Sequence, residues 1–293
     1  MSIALEPLSH KVQRTAVGTM VDVALAHARK DRQKAFAEMV DVAKQFYGDS
    51  FSEETYEHAR AVLTDADSKW SKLINCMLNQ LDPNVARTTA LNLGYEAFFR
   101  GTKTIRENRV KYQCNIPWLI LFDPTSACNL HCKGCWAAEY GNKLNLSYDE
   151  IDDIIRQGKE MGTYFYIYTG GEPLVRKKDL IKLCEKHSDA IFMCFTNGTL
   201  IDEEFAQNML KVKNFVPVIS VEGFEEATDS RRGNGTYQRA VNAMNLLKRN
   251  RLPFGISTCY TSANIKDVST EAYVDQLVEW GAYFVWYLSL IHI

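Results

Sequence analysis

Apolar and polar positions recur with two different periods along this 293-residue chain. Up to about residue 110 the period is helical. The stretch from Val12 to Tyr47 is rich in Ala, Val, Met, Lys and Gln and has no proline, which predicts helix. Ser52 is placed to cap a further helix. Trp70, Leu73, Ile74, Met77, Leu78 and Leu81 then recur at helical spacing and predict one apolar face. Asp82 is a cap with Pro83 at the first helical position. That helix is predicted to close at Gly101, with Leu91, Tyr95, Phe98 and Phe99 along one side. These stripes read as packing faces rather than a ligand box.

Near Pro117 the pattern changes to short apolar runs separated by helical segments. The predicted strands are Leu119–Phe122, Tyr164–Tyr168, Ile191–Phe195, Val216–Val221, Phe254–Cys259 and Tyr283–Tyr287. The helix after the first is the best marked: Ser147 and Glu150 form a capping box, and Ile151, Ile154, Ile155 and Met161 face one way. Predicted helices follow around Lys178–His187, Glu203–Lys211, Gly235–Arg249 and Glu271–Trp280. Repeated strand–helix alternation predicts an α/β fold with a parallel sheet. About six such units make a partial (β/α) barrel, two short of the eight of a closed one.

The expected organisation is therefore an all-helical N-terminal region over residues 1–115 and a partial barrel over 116–287. Three roles are open to the helical region: covering the barrel mouth, binding a partner, or guiding substrate. The last six residues, Leu288 to Ile293, resemble a translated sequencing adapter. They are expected to be a non-native tail on a protein that naturally continues past Tyr287.

Composition narrows the function classes. Hydrophobic residues are 46% and charged residues 24% of the chain, enough for a sizeable core. The net charge of −2 gives no basic surplus for general nucleic-acid binding. No apolar run approaches a membrane span, and the start lacks a signal-peptide core, so the expected location is cytoplasmic. Eight cysteines in such a chain predict buried thiols, metal ligands or reactive groups rather than disulfides.

Three of them lie within CNLHCKGCW, residues 128–136, as Cys128, Cys132 and Cys135. Thiolates favour zinc, copper(I) and iron–sulfur clusters. Structural zinc takes four protein ligands, and here no second cysteine pair follows; His131, beside Cys132, would have to fold back to serve as the fourth. A plain electron-transfer cluster also takes four cysteines. Three close ligands suit a cubane cluster with one iron left open. A second signal lies in YIYTGGEPL, residues 166–174, where Gly170 and Gly171 follow the second strand and let backbone approach a ligand closely. In a barrel that loop shares the mouth with the cysteine loop.

With these motifs the chain resembles the radical S-adenosylmethionine (SAM) superfamily. The resemblance runs from about Ile116 to Tyr287. It points to the branch of molybdenum-cofactor, pyrroloquinoline-quinone and peptide-maturing enzymes. It implies a 4Fe–4S cluster on Cys128, Cys132 and Cys135, with SAM on the open iron. Reductive cleavage of SAM would give a 5′-deoxyadenosyl radical that takes a hydrogen atom from substrate. It implies SAM contacts from the Gly170, Gly171 and Glu172 backbone and from Asn197. Ser220 and Glu222, two apart at the end of strand four, suit the ribose hydroxyls. Arg232 best fits the place of an arginine that neutralises the SAM carboxylate, with Arg231 the close alternative.

One position departs from the family pattern. Many members carry an aromatic residue just before the third cysteine; this chain has Gly134 there and Trp136 just after Cys135. The remaining cysteines, Cys76, Cys114, Cys184, Cys194 and Cys259, fit no motif and are expected to be buried. The expected partners are a flavodoxin- or ferredoxin-like one-electron donor and an unidentified substrate: a peptide, a lipid or a cofactor precursor. The rival reading is a non-catalytic iron–sulfur or zinc protein for redox sensing or electron transfer, which would need no SAM site.

Overall fold

The computed structural model describes residues 6–28, 31–47 and 51–289. The N-terminal unit is built from α1 (Glu6–Ala28), α2 (Arg32–Tyr47), α3 (Glu53–Thr64), α4 (Lys69–Gln80) and a long rod. The rod begins as α5 (Pro83–Thr89), widens into a π-helix over Ala90–Gly101 and ends as α6 (Thr102–Tyr112). Local chemistry sets the starts. The Ser52, Ser68 and Asp82 side chains accept from the first free N–H groups of α3, α4 and α5.

Gly101 does not close the helix as predicted. Its φ is −61°, and the chain stays helical until Gln113 turns left-handed at φ 53°. A Cβ on Gly101 would lie 2.4 Å from the Gly162 carbonyl oxygen, so this glycine lets two backbones touch. The predicted stripe also splits. Leu91 and Tyr95 are buried, whereas Phe98 turns outward and packs against Trp118 at 5.0 Å. The wider π turn carries the side-chain stripe off the 3.6-residue repeat. On α4, Trp70 is likewise exposed.

The second unit alternates strand and helix throughout: β1 (Leu119–Thr125), α7 (Tyr148–Met161), β2 (Phe165–Gly170), α8 (Lys177–Lys186), β3 (Ile191–Thr196) and α9 (Glu203–Val212). Then come β4 (Phe215–Ser220), α10 (Glu225–Arg232), α11 (Thr236–Arg249), β5 (Gly255–Tyr260), α12 (Ile265–Val268), α13 (Glu271–Trp280) and β6 (Val285–Ser289). The six strands are parallel and pair in sequence order, forming a half-barrel. The Ser147–Glu150 capping box is present at the start of α7, and Gly162 ends that helix in the left-handed region. Leu288 and Ser289 continue β6 opposite Cys259 and Tyr260; residues 290–293 lie outside the described residues.

Strand side chains divide by parity. Tyr166, Tyr168, Phe192, Cys194 and Ile219 face the helices and pack on Ile151, Ile155, Leu180, Phe205 and Met244 in the main core. Ile167, Met193 and Val218 face the interior with Leu119, Phe165, Phe195 and Trp286. Of the unassigned cysteines, Cys184, Cys194 and Cys259 are buried, Cys76 is half-buried and Cys114 is exposed.

The helical unit seals the end where the strands begin. Asn92 donates to the carbonyls of Ser188 (2.9 Å) and Ala190 (2.8 Å), just before β3. Trp118, before β1, donates to the Ala97 carbonyl at 3.2 Å. Arg251, before β5, donates to the carbonyls of Gln80, Asn79 and Leu81. At the centre of the contact, fully buried Glu96 accepts from Arg14 (2.7 Å) and pairs with His10 (3.0 Å) and Arg100 (3.3 Å). Burying that carboxylate is tolerable only because it is ringed by donors. The mouth at the other end is left to the loops that follow the strands. Among the described residues no helix is long and apolar enough to cross a membrane.

Candidate active site

The loop after β1 carries Cys128, Cys132 and Cys135, all partly buried and free of disulfides. The Leu130 N–H donates to Cys128 Sγ at 3.4 Å, and the Cys135 N–H to the Cys132 carbonyl at 3.3 Å. Gly134 turns the loop at φ +66°, where a Cβ would meet nothing. Trp136 opens a short 3-10 turn, exposed and edge-on to Tyr140. Burial pushes the Cys128 and Cys132 thiols up. At Cys132 the charges of Arg232 and Arg231 oppose that shift.

The β2 loop lies backbone to backbone on the cysteine loop. The Gly171 N–H donates to the Thr125 carbonyl at 3.0 Å, and the Glu172 N–H to the Ala127 carbonyl at 2.8 Å. A Cβ on Gly171 would sit 2.3 Å from the Ala127 oxygen; one on Gly170, at φ +109°, would sit 2.7 Å from the Thr125 oxygen. The glycine pair is therefore needed for the seating of the cysteine loop itself. The Glu172 side chain turns inward. Its buried carboxylate accepts from the N–H of Leu174 (3.0 Å), the hydroxyl of Thr196 (2.7 Å) and the N–H of Asn197 (2.7 Å). Burial pushes this carboxyl up, and those donors pull against it. The Asn197 amide donates to Asn129 Oδ1 at 2.9 Å, and Asn129 donates to the Thr199 hydroxyl at 2.9 Å. Asn129 escapes the sequence reading; its place beside Cys128 is the one signal for it.

Across the mouth, Ser220 ends β4 in register with Ser257. Glu222, 1% exposed, accepts from Arg231, from Arg232 Nε (2.7 Å) and from the Cys259 N–H (3.0 Å). Sequence reasoning treats Glu222 and Arg232 as separate SAM contacts; the structure joins them, and Arg231 with them, in one buried ion cluster. The cysteine loop rests on this cluster too, through the Lys133 N–H to the Arg231 carbonyl at 2.8 Å. A further acid was missed. Asp123 lies in β1 where the pairing with β2 shifts register, between Phe122 and Thr125, and packs against the Gly170 turn. Its Oδ1 is buried without a partner, and burial pushes its carboxyl up.

Among the described residues no three His, Cys, Asp or Glu side chains close on a point fit for a single metal ion. The three thiols are nonetheless near enough to feel one another's charge. Three soft donors on one loop, with no fourth protein ligand grouped with them among the described residues, fit a multi-iron cluster better than a tetrahedral zinc.

The sequence model of the Radical SAM superfamily matches residues 122–277. The chain belongs to that superfamily. The Fe-coproporphyrin III synthase of Methanosarcina barkeri is 28% identical over 180 residues, covering 58% of this radical SAM chain and 43% of that protein. The mycofactocin maturase MftC of Mycolicibacterium smegmatis is 32% identical over 171 residues, covering 57% and 41%. This chain spans about half the length of the curated relatives it matches. Among solved structures, Streptococcus suis SuiB bound to S-adenosylmethionine is similar at a TM-score of 0.56 and 18% identity, covering 89% of this chain and 57% of that one. That likeness shows the shared radical SAM fold. The family implies SAM and an iron–sulfur cluster.

Proposed function

We propose that this chain is the radical-generating part of a cytoplasmic radical SAM enzyme. The observation that supports this reading is the convergence of three motifs. The cysteine loop, the glycine pair and the Glu222–arginine cluster all lie at the carboxyl end of the sheet and are bonded to one another through Ala127, Asn129 and Lys133. Cys128, Cys132 and Cys135 would hold a 4Fe–4S cluster. When bound and reduced, that group supplies one electron to SAM and so yields a 5′-deoxyadenosyl radical for hydrogen abstraction.

The remaining roles belong to the chain. The backbone of Gly170, Gly171 and Glu172 receives the SAM amino group, while the Glu172 side chain braces the loops after β2 and β3. Asn197 holds Asn129, and with it the start of the cysteine loop, in place. Ser220 offers a hydroxyl to the ribose. Glu222 acts mainly by orienting two guanidiniums, and Arg232 presents its remaining nitrogen to the SAM carboxylate. The electron comes from a flavodoxin- or ferredoxin-like donor. SuiB has been solved bound to its precursor peptide SuiA, which makes a peptide the first substrate class to try.

Anaerobic reconstitution with iron and sulfide tests the reading. The expected product carries about four irons per chain and, once reduced, an electron paramagnetic resonance signal that changes when SAM is added. Cys132→Ala should lose both. Zinc retained in place of iron, or a signal indifferent to SAM, would return the chain to the sensor or electron-transfer class.

A further inference from the structure

The carboxylates buried around the barrel mouth are met by donors from the chain, with one exception. Glu172 accepts from two backbone N–H groups and a hydroxyl. Glu222 accepts from two guanidiniums and a backbone N–H. Asp123 has no such partner: its Oδ1 is buried with no donor among the described residues. At Glu172 the donors pull against the upward push of burial, whereas at Asp123 burial acts unopposed. A carboxylate desolvated in this way costs stability until a donor reaches it.

Its position says which ligand could bring that donor. A Cβ on Gly170 would lie 2.9 Å from Asp123 Cβ and 3.1 Å from Asp123 Cγ. The carboxyl group therefore packs on the first glycine of the turn that seats the cysteine loop. Asp123 as a whole is only half-buried, so a ligand can approach it. The same turn carries a second acceptor. The Gly171 N–H is committed to the Thr125 carbonyl, while no described residue donates to the Gly171 carbonyl. A carboxylate and a carbonyl without donors on one turn suit a group that brings N–H bonds and positive charge, and they repel an anion.

We propose that Asp123 is a SAM-binding residue, whose carboxylate accepts from the amino group of the methionine portion beside the Gly170–Gly171 backbone. This rests on the radical SAM reading above and adds to it a side chain from β1. The free chain carries the cost of the unpartnered carboxylate, and binding relieves it, a trade of stability for function.

The test is anaerobic equilibrium dialysis of the reconstituted chain against three ligands at neutral pH. SAM is the first. S-adenosylhomocysteine keeps the amino acid but has no sulfonium charge, and 5′-methylthioadenosine lacks the amino acid. Asp123→Asn keeps the shape of the side chain and removes its charge. It should weaken SAM and S-adenosylhomocysteine alike by about ten-fold or more, the scale of one hydrogen bond to a charged group. It should leave 5′-methylthioadenosine within about two-fold. The variant should keep its iron and melt no lower than the parent, which separates lost contact from lost fold. If it loses either, infrared difference spectra of the parent decide: S-adenosylhomocysteine must shift a carboxylate band that moves on isotope labelling of aspartate, and 5′-methylthioadenosine must not. Unchanged SAM affinity in the iron-loaded variant overturns the proposal. So does a loss shared by 5′-methylthioadenosine, which is general loosening of the site, or one confined to SAM, which places the carboxylate at the sulfonium. A parent that holds its cluster and binds no SAM fails the radical SAM reading itself and takes this proposal with it.

Discussion

Replacing Gly171 by alanine isolates the contact that seats the cysteine loop. The backbone there is not in the left-handed region, so the effect comes from the added methyl alone. That methyl would sit 2.3 Å from the Ala127 oxygen and 2.5 Å from the Ser126 oxygen, both rigid backbone atoms. The loop must retreat by about an ångström to restore ordinary contact, since carbon and oxygen approach to no less than about 3.3 Å. Overpacking of this kind costs about 1–3 kcal/mol. The retreat also loosens the Gly171 and Glu172 N–H bonds to the Thr125 and Ala127 carbonyls, each worth about 1 kcal/mol. A total of about 2–4 kcal/mol corresponds to a fall of roughly 5–15 °C in melting temperature for a domain of this size. Because Ala127 precedes Cys128, iron content after reconstitution should fall with it. Gly134→Ala is the matched control: it bears a left-handed φ but meets no neighbour, so it should cost about 1–2 kcal/mol and keep its iron. A Gly171→Ala protein that melts with the parent and carries full iron would refute the reasoning.

Three further outcomes follow from single residues. Glu222→Gln leaves two largely buried guanidiniums without their carboxylate and should cost on the order of 3–5 kcal/mol in urea unfolding; a loss below about 1 kcal/mol would show the cluster to be a surface pair in effect. Tyr168 buries its hydroxyl without a partner, so Tyr168→Phe should stabilise by about 1 kcal/mol, read from the urea midpoint, and a destabilised variant would contradict the assignment. Asp123 has its carboxyl pushed up by burial, so its neutral form favours the fold. That contribution is present below the ordinary carboxylate range and is lost as pH rises through the raised value. Asp123→Asn should therefore be more stable than the parent at pH 7.5, with the difference vanishing near pH 4; an equal gap at both would contradict it.

The parts of this protein legible in its sequence are those set by neighbours along the chain. The Ser147–Glu150 box, the Asp82 cap and the strand–helix alternation depend on residues a few positions apart, and each is where the pattern places it. What was not legible depends on distant partners. Gly101 reads as a helix stop until Gly162 is seen against it. The side of the barrel that the helical unit takes is set by Arg251 on Gln80 and Asn92 on Ala190, bonds across 171 and 98 residues. In the candidate site, the cysteines and glycines announce themselves by spacing, but the pairing of Glu222 with both arginines does not. Asp123 was not legible either, because the pairing of β1 with β2 shifts register between Phe122 and Thr125 and simple alternation does not carry through to it.

The measurement that bears most directly on the central claim is product analysis after a single reduction. The reconstituted chain is mixed anaerobically with SAM and dithionite, and the mixture is separated by chromatography. The account predicts 5′-deoxyadenosine from the parent and none from Cys132→Ala. A parent with its cluster intact, its SAM bound and no 5′-deoxyadenosine formed would contradict it.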